Sequence, residues 1–116
     1  PTGIKSVGDF ENEAMAPTQV MPPMKGTNMS CAFSHIFQGG YSAGYYSYKW
    51  AEVLDADAFE LFKEKGLFDK ETASKFRTLL SSGGTVHPME LYKAFRGREP
   101  KVEALLKRAG LVKSAS

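Results

Sequence analysis

Beyond residue 41 the apolar positions recur three and four residues apart, the spacing of one face of an α-helix. The pattern and its stop signals predict four helices, over 42–65, 70–81, 88–95 and 100–109. Gly66 ends the first in the C′ position, where a left-handed backbone costs little. Asp69 N-caps the second, Glu71 favours its first turn, and Gly83-Gly84 stops it. Pro88 and Pro100 stand at the first helical positions of the third and fourth. Gly110 closes the fourth, whose C-terminal dipole suits Lys107 and Arg108. Short connections make the helices antiparallel neighbours. Residues 1–40 lack this period. Pro17, Pro22, Pro23 and Gly26 interrupt regular structure there. One helical turn is expected over 10–15 and extended or loop backbone elsewhere. So long a lead is unusual in an independent domain and reads as a strand wrapping over a larger body. The expected fold is all-α, with about four helices after an extended, loop-rich lead.

At 100° per residue, Tyr46, Trp50, Val53, Leu54 and Leu61 share one side of the first helix, a core stripe. Tyr41, Tyr45, Tyr48, Glu52 and Asp55 share the opposite side if the helix already holds at Tyr41. Phenols are favoured where one end is packed and the other wet, as on a cleft wall. A tyrosine stripe also serves plain packing, and the pattern leaves both open. Tyr41 stands apart because Gly39-Gly40 precedes it and lets the backbone turn sharply.

The chain has 116 residues, 42% hydrophobic and 24% charged, which fits one small globular domain at most. A net charge of +2 argues against nucleic acid or an anionic membrane as partner. No apolar run approaches the roughly 20 residues that a membrane-spanning helix needs. One cysteine, Cys31, excludes an internal disulfide and fits a reducing compartment; it reads as a buried thiol. No secretory signal is visible, so a cytoplasmic location is expected, although a start at Pro1 fits a fragment.

The candidate chemistry is sparse. His35, His87 and Cys31 make a poor metal set, because neither H-E-x-x-H nor C-x-x-C occurs and residues 31–35 read as extended or irregular. No metal ligand is assigned. A Cys-His nucleophile lacks a third orienting residue. The glycines of 39–44 lack the Gly-Lys-Ser/Thr ending of a phosphate loop. Arg96, Arg98, Lys101, Lys107 and Arg108 read as a solvated basic face. His87, just before Pro88, reads as a cap or turn residue of the third helix.

The run Phe33-Ser34-His35-Ile36-Phe37-Gln38-Gly39-Gly40-Tyr41-Ser42-Ala43-Gly44-Tyr45-Tyr46-Ser47-Tyr48-Lys49-Trp50-Ala51-Glu52 is distinctive. It resembles the C-terminal signature of thimet-oligopeptidase-like zinc metallopeptidases, the group that includes oligopeptidase A and the bacterial peptidyl-dipeptidases. The likeness continues through Ser82-Gly83-Gly84, Pro88-Met89-Glu90-Leu91-Tyr92 and Phe95-Arg96-Gly97-Arg98-Glu99-Pro100, covering nearly the whole chain. The family more often has an acidic residue where this chain has His87.

The resemblance implies a large, almost all-helical enzyme with a deep channel. Residues 41–116 would be the helical C-terminal part of its catalytic domain. Zinc would sit on an H-E-x-x-H helix and a later glutamate upstream of this segment. His35, Tyr41 and Tyr48 would contact substrate, the tyrosines donating to the bound peptide or to the oxyanion formed in hydrolysis, and Gly39-Gly40 would form a mobile link beside them. The implied partners are short peptides and the remainder of the catalytic domain. The chain alone is expected to be inactive and to self-associate through apolar surface. Two other readings stand beside this one: a non-catalytic helical module that binds peptides or a partner, and a free-standing enzyme with a metal on His35, His87 and a carboxylate. Endopeptidase and dipeptide-releasing activities are not distinguished.

Overall fold

The computed structural model describes Gly3 and residues 6–112. Among them every regular element is helical: α1 (Val7–Met15), α2 (Met29–Ala32), α3 (Ser47–Lys65), α4 (Lys70–Ser81), α5 (Pro88–Arg96) and α6 (Glu103–Arg108), with 3-10 turns at Ala16–Thr18 and Ser34–Ile36. The protein is all-α. It divides into two units, Pro1–Tyr46 and Ser47–Ser116.

In the first unit α1 starts three residues before the expected turn, because Ser6 caps it: the Ser6 hydroxyl oxygen accepts from the Asp9 N–H at 3.0 Å. Residues 31–35, expected to be irregular, instead end α2 and enter the following 3-10 turn. The cause is remote in sequence. The Glu11 carboxylate on α1 accepts from the Met29 and Ser30 N–H groups and from the Ser30 hydroxyl. It thus satisfies donors that a helix start leaves unpaired. These bonds, the Ser30 hydroxyl foremost, hold the Glu11 carboxyl below its ordinary value. Cys31 is exposed, not buried as expected.

In the second unit α4 packs on α5, and α3 packs on both α4 and α6. Ala58, Leu61, Tyr92 and Phe95 form the core, flanked by Leu54, Phe62, Phe76 and Leu79. Phe62 and Phe76 meet edge to face at 5.7 Å, a favoured aromatic geometry. Of the expected stripe on α3, Val53 and Leu61 are buried, but Trp50 is 46% and Tyr46 74% exposed. The helix begins at Ser47 and not at residue 42. The Tyr41 carbonyl accepts from both the Gly44 and Tyr45 N–H groups, closing a single turn. Gly44 weakens any continuation from there.

The expected ends of α4 and α5 hold closely, whereas Pro100 is not the first helical position of α6. Asp69 caps α4 by accepting from the Thr72 N–H at 2.7 Å. His87 caps α5 through Nδ1, which accepts from the Met89 N–H at 3.2 Å. α6 starts at Glu103, three residues after Pro100. The cause is Arg98, which is tied to Asp57 and donates to the Glu99 carbonyl at 2.7 Å, holding the link out of a helix.

The expected solvated basic face is corrected for its first two members. Asp57, 2% exposed, lies in the middle of α3. Arg98 grips it with two hydrogen bonds of 2.8 and 3.0 Å, and the Arg96 Nε lies 3.7 Å away. The Arg96 side chain is only 7% exposed and forks onto Glu64. Gly97, left-handed at φ 81°, turns the chain between the two arginines. Burial pushes the Asp57 carboxyl up, but hydrogen bonds from Arg98 and Tyr92 and the two guanidinium charges outweigh it, leaving the group below its ordinary value.

Candidate functional site

The tyrosine-rich motif falls across the boundary of the two units. In the first, the 3-10 turn Ser34–Ile36 presents His35, and the two glycines that follow carry the chain to Tyr41. Both glycines adopt φ +75°, a conformation L side chains rarely take. A Cβ on Gly39 would come within 3.1 Å of the Tyr41 ring, whereas one on Gly40 would meet nothing within 4 Å beyond its own chain neighbours, Gly39 and Tyr41. Gly39 therefore permits the ring's position as well as the backbone turn.

Four rings converge here. His35 lies 5.3 Å from Tyr41 and 5.1 Å from Tyr45, centroid to centroid. Tyr41 and Tyr45 are 6.2 Å apart, edge to face. Phe33 stands 4.5 Å from Tyr45 and 5.4 Å from His35. His35, Tyr41 and Phe33 are half-buried, and Tyr45 is 39% exposed. The result is a patch with an imidazole and two phenols for hydrogen bonding and an apolar ring behind them. Such groups can bind a peptide carbonyl or N–H, and a phenol can donate to an oxygen that gains negative charge.

Tyr48 belongs to the second unit, in the first turn of α3, and is 47% exposed. It is not on a common helix face with Tyr41 and Tyr45, because those two precede the helix. Of the expected site residues, His35, Gly39, Gly40 and Tyr41 are thus brought together, while Tyr48 is placed on α3. Three contributors lay outside the expected set: Tyr45, which the sequence placed only in the tyrosine stripe, Phe33 in the ring cluster, and Glu11, which anchors the turn that precedes it. Phe33 had its place in the motif as a signal, two residues before the histidine. Glu11 had none, since its targets are 18 and 19 residues away.

Among the described residues, no three His, Cys, Asp or Glu side chains group to hold a metal ion, around His35, around His87 or elsewhere. The described residues do not fit a zinc site by themselves.

The second unit carries an open apolar cavity of about 570 Å³ between α3 and the α4–α5 pair, with Trp50, Phe59, Phe76, Leu80 and Met89 in its wall. No helix among the described residues is long and apolar enough to cross a membrane.

Known proteins give this arrangement its setting. The sequence profile of "Peptidase family M3", a family of zinc metallopeptidases, matches residues 2–111. The chain is 49% identical to organellar oligopeptidase A, chloroplastic/mitochondrial, of Arabidopsis thaliana over 100% of its length and 15% of that protein. It is 53% identical to oligopeptidase A of Escherichia coli (strain K12) over 79% of its length and 14% of that protein. To the dipeptidyl carboxypeptidase of the same bacterium it is 37% identical, over 93% of its length and 16% of that protein. It spans about 15% of the length of these relatives. With a profile matching nearly end to end and such identities, the chain belongs to peptidase family M3.

Proposed function

We propose that this chain is the C-terminal part of the catalytic domain of a zinc peptidase that hydrolyses short peptides. Residues 1–40, expected to be extended or irregular but carrying α1, α2 and two 3-10 turns, would be its lead and 41–116 its helical C-terminal part. The observation that carries the reading is the ring cluster of His35, Tyr41 and Tyr45 behind two left-handed glycines, in a member of family M3. His35, Tyr41 and Tyr48 bind the peptide, and the Tyr41 and Tyr48 phenols donate to the oxygen that becomes negative as the peptide bond is attacked. A neutral phenol so placed stabilises the transition state more than the bound substrate. Gly39 and Gly40 let Tyr41 approach the substrate, and movement of this link couples substrate binding to catalysis. Zinc would be held by residues that this chain does not carry.

The test uses the longer protein that contains the chain. Tyr48→Phe should lower kcat by about 100- to 1,000-fold, the usual cost of one lost donor to an oxyanion, with a much smaller change in KM. A weakened KM with kcat unchanged would reject the oxyanion role.

The open apolar cavity favours a second reading, a non-catalytic module that binds a partner. In the first reading the remainder of the catalytic domain covers that surface. Peptidase activity and bound zinc in the longer protein separate the two, because a binding module has neither. The relatives carry both cytosolic and organellar names, so a cytoplasmic location is proposed from the sequence alone.

A further inference from the structure

Of the four described rings of the first-unit cluster, Phe33 is the one without a polar atom, and its backbone is held on both sides. Its N–H donates to the Met29 carbonyl at 2.8 Å, and its carbonyl accepts from the Ile36 N–H at 3.3 Å. Its φ of −95° and ψ of 76° break the helical path between α2 and the 3-10 turn, so the residue is a fixed corner. The turn before that corner is anchored in its own right, because Glu11 takes the Met29 and Ser30 N–H groups. From the corner the ring meets Tyr45 at 4.5 Å with planes 86° apart, and His35 at 5.4 Å. Those two rings are in turn the neighbours of Tyr41.

We infer that Phe33 is a positioning residue: its ring sets the orientation of His35 and Tyr45 and, through them, of the Tyr41 phenol. This rests on the proposed catalytic role of Tyr41. The physical basis is the ring's quadrupole, which disfavours a face-to-face sandwich and so restricts angles as well as distances: Tyr45 is held edge to face at 86°, and His35 is tilted at 39°. An aliphatic side chain fills the space without fixing the angle. Small misplacements of a group that acts in the transition state are costly, a displacement near 1 Å lowering rate by up to about 100-fold.

The experiment is a double-mutant cycle in the full-length peptidase that carries this chain, with melting temperature followed alongside kinetics. Phe33→Leu should lower kcat about tenfold and change KM less than about threefold, because the effect falls on transition-state contacts. In a Tyr41→Phe background the same substitution should cost less than about twofold, since the hydroxyl it orients is gone. Equal losses with and without the Tyr41 hydroxyl would make Phe33 a merely structural residue and overturn the inference, as would an unchanged kcat. If Phe33→Leu does not fold, Phe33→Met, similar in volume to leucine but more adaptable in shape, carries the same comparison. A Tyr41→Phe variant with full activity would sink the proposed role of Tyr41 and this inference with it. Loss of activity in Tyr41→Phe without coupling to Phe33 would sink the inference alone.

Discussion

The Tyr92 hydroxyl donates to Asp57 Oδ2 at 2.5 Å, tying α5 to the middle of α3 across 35 residues. Asp57 is also the carboxylate that Arg98 grips, so one buried group joins three parts of the helical unit. Removing one member of a buried charge pair leaves its partner uncompensated, so Asp57→Ala should destabilise the fold by about 3 kcal/mol. Tyr92→Phe spares the ion pair and should cost about 1.5 kcal/mol, the scale of a hydrogen bond to a charged group. Urea unfolding followed by circular dichroism gives both values, and equal costs would contradict this ranking.

Stability should fall on the acid side. Asp57, Glu64 and Glu11 all lie below their ordinary carboxyl values, 3.8 for Asp and 4.5 for Glu. A carboxyl depressed by folding contributes stability above its unfolded value and loses it as pH falls through the folded one. Unfolding midpoints should therefore hold near neutrality and drop below about pH 4.5. Asp57→Asn should flatten that drop. On the alkaline side, burial and then the Asp57 hydrogen bond raise the Tyr92 hydroxyl above its ordinary 10.0. That contribution is complete below the ordinary value and is lost only as pH rises through the folded one.

His87 caps α5 with a ring nitrogen at 3.2 Å. Aspartate is a stronger N-cap and adds a favourable charge at the helix start. His87→Asp should raise stability by about 0.5–1 kcal/mol. A lower melting temperature in the variant would show that the imidazole makes a contact beyond capping.

The two glycines before Tyr41 should not respond alike. Gly40→Ala meets the backbone penalty of a left-handed residue, about 1 kcal/mol, and no contact within 4 Å beyond its chain neighbours. Gly39→Ala has the same φ and also sets a methyl 3.1 Å from the Tyr41 ring. In the longer protein Gly39→Ala should lower kcat several-fold more than Gly40→Ala, since it displaces a group proposed to act in the transition state. Equal activities would separate Gly39 from the placement of Tyr41.

The cavity wall of the second unit leaves Trp50 46%, Phe59 47% and Leu80 66% exposed. Exposed apolar surface of this kind drives association. The isolated chain should scatter light as more than a monomer at high concentration, and Leu80→Glu should reduce that size. A clean monomer would count against the expectation.

The helical class and the span of α4 were legible because they rest on local signals: Asp69 caps within three residues, and Gly66 and Gly83 lie just outside helices. Less legible were features set by distant partners. Asp57 breaks no period, so nothing local tells a buried carboxylate from a solvated one until Tyr92 and Arg98 close on it. For the same reason Arg96 and Arg98 looked like surface charge. The helical turn at Met29 depends on Glu11, and its neighbouring prolines and glycine argued against it. At the candidate site the motif pointed to His35, Gly39, Gly40 and Tyr41. It did not reveal that Gly44 lies in a turn that closes before α3, which keeps Tyr41 and Tyr45 off the helix that carries Tyr48.

The left-handed turn at Gly97 brings a late guanidinium back onto a carboxylate 41 positions earlier. Residues 57–98 therefore behave as one inherited block. A chimera of two family members spliced inside that span would mate one parent's carboxylate with the other's turn. Splices placed before α3 leave both this pair and the Asp55–Arg108 bond to α6 with a single parent.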